Sequence, residues 1–563
     1  MMSNEISCDL VVIGAGSAGF GTAYSAARLG ARVVLVEKGP AIGGTAVHAG
    51  VHNWEPGVGN TGLPFEIWQR LREVPGAIGI TRVARHIRLP ADGEAPFPGG
   101  EYVVDPALHY VDSLRRHVGA GPIDVWKDEA FCRNVLHAVV FEPDAYQRML
   151  EQMLSEPGRC QVRVSTGFVS VRCDAGEIRD LKLSDGTLLK ARYFCDCTGD
   201  GLLAQAAGCE TMNGREGRHQ FGERSAPESP TTETNGVSLI YRLTPTTTTA
   251  IEPLPSDVPD ACWWAAHYPS VFGVRYPCGD YCFNMLPTMS GAEFRRLTPT
   301  AAMDECRHRV RSHWHHVQVA HPEFRRYRLA WIAPRLGVRE GPRVLGQYVL
   351  TENDLLGRTR IDDVVCLADH PPDVHGHATA TAQVRYPYAI PFRCLMARDV
   401  ANLLVAGRCA SFSSIAASGC RLSRTMLQAG SRNRHGAGRG RGRACDSPAV
   451  RAAQGVSAPA TRSARVPHAR RTPCLPRGRT SSCTRTRREL NAHTHPQAGH
   501  GGGHCLPTLP RTPLRSVRER RGTQRRSPGR TGPRRRDESP PRHDRTRGRR
   551  GRGARNAWRR SCQ

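Results

Sequence analysis

The chain has 563 residues and carries 79 Lys and Arg against 51 Asp and Glu, a formal net charge of +28. That charge sits at one end: Ser431–Gln563 holds 35 Arg, no Lys and 6 acidic residues, while Met1–Gly430 sets 44 basic against 45 acidic residues. A near-neutral body excludes a nucleic-acid-binding surface built on its net charge, and apolar runs as short as Leu10–Ile13 and Val33–Val36 exclude a membrane helix, which needs ~18 apolar residues.

The length admits two or three domains. Fifteen cysteines are scattered over the body and five over the tail, and the start lacks a charged-then-apolar export signal. This pattern predicts reduced, mostly buried thiols in a cytoplasmic protein.

Leu10–Ile13 predicts a buried parallel strand. Gly14-Ala15-Gly16-Ser17-Ala18-Gly19 follows at once, then a small-residue helix from Ser17 to about Leu29, ended by Gly30. A second buried strand, Arg32–Val36, runs into Glu37. The arrangement is a βαβ unit with the dinucleotide fingerprint. Gly14 permits the tight turn, Gly16 lets backbone approach a pyrophosphate at the helix N-terminus, and Gly19 lets helix and strand pack closely. Glu37 is placed to accept hydrogen bonds from a ribose diol.

Those glycines do not decide between FAD and NAD. The continuation "EKGPAIGGTAVHAGV", with Lys38, Gly43, Gly44 and Thr45, resembles the flavoprotein form of the motif. Next, "VRVSTGFVSVRCDAGEIRDLKLSDGTLLKARYF" predicts a strand and a β-hairpin excursion. "YFCDCTGDGLLAQAAG" (Tyr193–Gly208) resembles the strand-then-"ATGD" segment of the same proteins, with Cys195 and Cys197 where small residues are usual. "NLLVAGRCASFSSIAASGCRLSRTMLQAG" resembles their returning strand and long final helix.

Together these segments resemble FAD-dependent oxidoreductases of the two-dinucleotide-binding-domain type. The resemblance is greatest to the bacterial group distantly similar to the fumarate reductase flavoprotein. Further matches are "LGVREGPRVLGQYVLTENDL", "DVHGH" and "YPYAIPFRCL". The resemblance spans about Asp9–Gly430 and is thin over Asn213–His321. It implies an α/β fold: a discontinuous Rossmann-like FAD-binding domain (1–211 and 397–430) with an inserted α+β substrate domain (212–396). It implies FAD contacts from Gly14, Gly16, Ser17, Ala18, Gly19, Glu37, Lys38, Gly43, Gly44, Thr45, Val169, Thr198, Gly199, Asp200, Gly407 and Arg408. The expected activity is hydride transfer between FAD and a small, possibly anionic, substrate; the electron acceptor is unknown.

Four residues are candidates for catalysis. His375, in Asp373-Val374-His375-Gly376, offers an imidazole, a group that ordinarily titrates near neutrality as a proton partner to hydride transfer must; the alternative is a structural loop histidine. His48 stands where the chain should approach the flavin, either as a ring contact or as a plain loop residue. Arg339 and Arg393 offer planar forks for an anionic substrate, or are surface ion-pair residues. Glu340 is expected to pair with Arg343 on a helix face. The histidine-rich stretch Arg307–His321 has amphipathic-helix periodicity and lacks a completed ligand set, and Cys278 and Cys282 lack a second pair, so no metal is expected.

Beyond Gly430 the apolar periodicity stops, and Arg, Gly, Pro, Ser and Thr dominate, with Trp558 the single aromatic. Such a segment cannot offset its chain entropy by burial, so a disordered tail is expected. One alternative is an Arg-rich arm that makes the chain a nucleic-acid-binding protein; such arms usually also carry Lys or spaced aromatics, so nucleic acid is the less favoured partner. The preferred explanation is a frame error. The run Gly438–Arg443, written in GGN and CGN codons and read one base later, becomes mainly Ala and Val codons in a GC-rich bacterial gene. That would restore the small-residue helix the family resemblance calls for, and leaves an inactive frameshifted flavoprotein as a further alternative.

Overall fold

The computed structural model describes residues 5–55, 62–82, 86–88, 137–260, 270–285, 287–357, 359, 361–374, 384 and 388–431. His375 and the Arg-rich tail lie outside them.

β1 (Glu5–Ile13) leads through the glycine turn into α1 (Ser17–Arg28), and β2 (Val33–Val36) follows. All four residues of β2 are buried, as a strand covered on both faces requires. The single turn α2 (Thr45–His48) and the longer α3 (Pro143–Ser155) precede β3 (Cys160–Arg163). α3 turns Tyr146, Met149, Leu150 and Met153 inward, the 3–4 spacing of an amphipathic helix. β4 (Phe168–Asp174) and β5 (Glu177–Leu183) form the expected hairpin, and β6 (Leu188–Asp196) returns to the centre.

A second, antiparallel sheet is built from β7 (Tyr241–Pro245), β8 (Ser270–Arg275), β9 (Tyr281–Met285) and β10 (Tyr327–Ile332) in the order β10-β7-β9-β8, with residues 86–88 at the edge. Between β9 and β10 runs α4 (Pro299–Ala320), capped by Thr298, whose side chain accepts from the Ala301 amide. The histidine-rich stretch is its C-terminal half, as its periodicity predicts. His313 is fully buried there, 2.6 Å from the Tyr241 hydroxyl.

The chain then comes back to the first sheet as β11 (Leu403–Val405), followed by α5 (Ser414–Cys420) and α6 (Ser423–Gly430). The first sheet has the order β3-β2-β1-β6-β5-β4, with β11 beside β6. β3, β2, β1, β6 and β11 are parallel. Their register aligns the C-terminal residues: Ile13 pairs with both Val36 and Asp196, and Asp196 with Val405. Consequently Gly14, Glu37, Thr198 and Gly407 all emerge at one edge of the sheet, where open α/β sheets bind their ligands.

α6 lies directly on α1. A Cβ on Gly21 would come within 2.4 Å of the Leu427 carbonyl oxygen, and one on Gly430 within 2.4 Å of the Ala18 carbonyl oxygen. Only glycine permits this approach of the two backbones, and the contact closes the core over α1.

Candidate active site

The dinucleotide fingerprint folds as its residue types dictate. Gly14 has φ +97°, a conformation L side chains avoid, and a Cβ there would stand 2.5 Å from the Cys197 carbonyl oxygen. Gly19 fits under the turn so closely that a Cβ would meet the Gly14 carbonyl oxygen at 1.8 Å. Ser17 and Ala18, both buried, open α1 behind Gly16, its N-cap. That cap provides no side-chain hydrogen bond, and the first turn holds no acidic residue. The first-turn amides of this twelve-residue helix are therefore left for an anion.

Facing Gly16 is Gly44, at φ +56°, where a Cβ would lie 2.7 Å from the Gly16 Cα. Gly43 (φ +104°) donates its amide to the Ala15 carbonyl at 2.8 Å. Thr45 begins α2, and His48 ends it with Nε2 3.2 Å from the Ala41 carbonyl oxygen. Two side-chain-free backbones thus border one cleft beside an uncapped helix end, a shape and polarity that fit a pyrophosphate. Glu37, 8% exposed, turns back over this cleft, accepting from the Ala15 amide (2.9 Å) and the Gly39 amide (2.8 Å). Lys38 is exposed. The neighbouring backbone belongs to Ser165 and Thr166, whose amides donate to Gly39 and Glu37. Val169 stands beyond them on β4, 59% exposed.

At the far side of β1, buried Asp196 organises the next segment. Its Oδ1 accepts from the Thr198 amide (2.9 Å) and hydroxyl (2.7 Å), and its Oδ2 from the Ala204 amide (2.9 Å). Burial nevertheless raises its pKa above the usual carboxylate value. Gly199 (φ +83°) and Asp200 follow, and Arg408 Nη2 donates to Asp200 Oδ1 at 2.7 Å. Gly407 (φ +117°) lies against Ala18. The structure therefore brings Gly14, Gly16, Gly44, Glu37, Asp200 and Arg408 to one sheet edge.

The loop after Gly44 carries the chain to the second sheet. A Cβ on Gly50 would overlap Ile240, Cys282 Sγ donates to the Gly50 carbonyl, and the Arg335 amide donates to the His48 carbonyl at 3.2 Å. Arg339 lies just beyond and donates from Nη1 to the Gly236 carbonyl at 3.0 Å. It is partly exposed, yet surrounding protein and the Arg421 charge push its guanidinium down to about 9. Arg393 takes the second of its two readings, the surface ion pair. It is half exposed, holds Asp363 through Nε and Nη2 (3.1 and 3.2 Å), and lies over the Tyr348 ring, so it is already occupied as an ion-pair residue. The Glu340–Arg343 pair exists at 2.5 Å, though not on a helix: Arg343 is in a two-residue strand, fully buried, and also holds Glu216 at 2.7 Å.

Several titratable residues here went unremarked in the sequence. His370 Nε2 lies 3.2 Å from Glu55, and its Nδ1 2.7 Å from the Pro371 carbonyl oxygen. Burial works against the charged ring, but Glu55 outweighs it and holds the His370 pKa above its ordinary value. Glu55 is held below the usual range against its own burial by the same partner. Arg424, also buried, reaches Asp369 at 3.3 Å. Arg421 is the least engaged: its Nη2 is 3.9 Å from Asp373. A basic residue inside the small, hydroxyl-rich run "SFSSIAASGCRLSRT" is the signal that could have drawn attention to it.

The family model described as FAD dependent oxidoreductase matches residues 9–431. No curated protein matches. Among solved structures, a geranylgeranyl bacteriochlorophyll reductase-like protein from Thermoplasma acidophilum is 13% identical, covering 76% of this chain and 75% of its own, with TM-score 0.38. A myxobacterial FAD-dependent chondrochloren halogenase is 13% identical, with coverage of 74% and 72% and TM-score 0.37. The L-proline dehydrogenase of P. horikoshii is 12% identical, with coverage of 75% and 91% and TM-score 0.35. Likeness at this level carries no argument about substrate. The family match, spanning the βαβ unit, the Asp196 segment and the returning strand, makes this chain a member of the FAD-dependent oxidoreductases.

Proposed function

We propose that this flavoprotein transfers hydride between FAD and a small organic substrate, with the FAD held along the aligned strand ends and the substrate admitted where the first sheet meets the second. FAD supplies the redox chemistry; the chain binds and orients it. The uncapped start of α1, with Gly14, Gly16, Ser17, Ala18 and Gly19, faces the pyrophosphate. Glu37, beside exposed Lys38, takes the ribose, and Gly43, Gly44 and Thr45 lead toward the ring. Thr198, Gly199, Asp200, Gly407 and Arg408 close the other side. Arg339 faces the substrate, with His48 nearby. The single observation that carries this reading is Glu37 folded over the Gly14–Gly19 turn. Its test is to purify the full chain, release the cofactor and identify it. Intact FAD supports the reading; NAD alone overturns it.

The parallel sheet with its returning strand corresponds to the FAD-binding part and residues 212–396 to the substrate part. We further read Ser431–Gln563 as the product of a shifted frame. Support comes from the family match, which stops at residue 431, where Arg, 35 of the last 133 residues, comes to dominate. Resequencing the gene around the Gly430 codon tests this directly.

A further inference from the structure

Arg335 stands three residues past the end of β10, in the part of the chain that builds the second sheet, yet it touches the nucleotide-facing part twice. Its backbone amide donates to the His48 carbonyl at 3.2 Å, at the end of the turn that follows Gly44. Its guanidinium lies on the backbone of Gly39: a Cβ there would stand 2.3 Å from Nη2 and 3.3 Å from Cζ, so the missing side chain is what leaves room for it. Gly39 itself is fixed from both sides, its amide donating to Glu37 Oε1 at 2.8 Å and its carbonyl accepting from the Ser165 amide at 2.7 Å. Arg335 Nη1 is 4.0 Å from that same Oε1, close enough for attraction and too far for a hydrogen bond. Among the described residues the guanidinium makes no hydrogen bond, and the side chain is 42% exposed. Its donors are therefore unspent, beside the carboxylate that the reading above gives to the ribose.

We propose that Arg335 is a cofactor-binding residue supplied by the second part of the chain, and that the adenosine ribose diol of FAD bridges its guanidinium and Glu37. This rests on the flavoenzyme reading above. The chemistry fits group by group. A hydroxyl donates one hydrogen and accepts through two lone pairs, an ionised carboxylate only accepts, and a guanidinium only donates. Glu37 and Arg335 thus offer the two halves of what a ribose hydroxyl needs. Each Glu37 oxygen already accepts one amide, Ala15 at Oε2 and Gly39 at Oε1, and keeps lone-pair capacity for one hydroxyl more, which matches the two hydroxyls of the diol. The 4.0 Å between Nη1 and Oε1 is a gap that an inserted oxygen can span with one hydrogen bond to each side. Bound FAD would then join the end of β2 to the segment leaving β10, so that the cofactor itself ties the second part of the chain to the first.

Fluorescence titration of FAD into the full chain after release of its cofactor, with ADP and dideoxy-ADP as competitors, tests the bridge without relying on turnover. Dideoxy-ADP lacks both ribose hydroxyls and has nothing to place between Glu37 and Arg335. R335M, which keeps the length of the side chain and removes its donors, should weaken FAD and ADP about tenfold each, as loss of a charged hydrogen-bond partner does. It should leave dideoxy-ADP unchanged, a selectivity that mere loosening of the fold would not produce. Should R335M not fold, as judged by circular dichroism, R335K takes its place, and its single ammonium should still weaken ADP more than dideoxy-ADP. Dideoxy-ADP weakened as much as ADP overturns the bridge, because Arg335 would then serve the phosphates or the base. The two readings fail separately: FAD held equally by parent and variant sinks the bridge alone, whereas a parent chain that takes up neither FAD nor ADP sinks the functional reading and the bridge with it.

Discussion

Glu37 accepts the Ala15 amide at 2.9 Å, so the end of β2 is tied to the turn between β1 and α1 across the cleft. In the proposed site the same carboxylate would also stand at the ribose position. Glu37→Ala should weaken FAD retention by about 1–3 kcal/mol, the cost of losing a charged hydrogen-bond partner. Equilibrium dialysis of FAD against the variant and the parent chain measures it. Equal retention would remove Glu37 from the site.

Gly430→Ala should destabilise the fold by about 1–3 kcal/mol, as overpacking does, because its Cβ would stand 2.4 Å from the Ala18 carbonyl oxygen and 2.7 Å from the Thr22 amide. Both are backbone atoms and cannot step aside. A denaturant melt of the full chain shows the loss as a lower midpoint; an unchanged midpoint would mean that α6 does not rest on α1.

Arg343→Met should be more damaging, about 3–5 kcal/mol, since it leaves Glu216 and Glu340 buried without their cation. Arg343→Lys should recover part of that, because one ammonium cannot span both carboxylates. Thermal melts of the two variants should rank them in this order.

Burial drives both His52 and His313 down to about 3. An unfolded chain takes up those protons near 6.5, whereas the native chain does so only near 3. Their contribution is therefore complete above about 6.5 and falls as pH drops toward 3, by about 1.4 kcal/mol per pH unit for each group. Urea unfolding at pH 7.5 and 5.5 should show this loss, and His313→Leu should flatten the slope despite losing the Tyr241 contact. Identical slopes for the variant and the parent would exclude His313 as a source.

The βαβ unit was legible because each requirement is local. Gly14 and Gly19 are demanded by a turn too tight for a Cβ, and Glu37 by its place at the end of an all-apolar strand. The α4 periodicity was legible for the same reason, and it placed His313 in a helix without showing that its ring is buried. Arg421 was not legible. Its side chain becomes unusual only once the end of α5 meets the loop bearing Asp373, 48 positions before it. Arg393 differs in the opposite sense: the sequence left an anion fork and an ion pair open, and Asp363, thirty residues upstream, holds its guanidinium. Most of the second sheet was hidden because β7, β8 and β9 fall in the thinly matched stretch; the extended segment Gly236–Leu243 was the part in view, and the strand there is Tyr241–Pro245.

The seating of Gly430 on Ala18 also dictates an order of events during synthesis. α1 leaves the ribosome well before α6, so it waits for that cover while some 400 intervening residues are made. At ~5–20 residues per second that interval is roughly 20–80 s. Until α6 is made, the part of α1 that it covers is open, and once β6 is made its edge stays open until β11 pairs with it. The nascent chain is therefore open at one element of the proposed cofactor site until its last described helix is made, and FAD added during translation has only an unfinished cleft to meet.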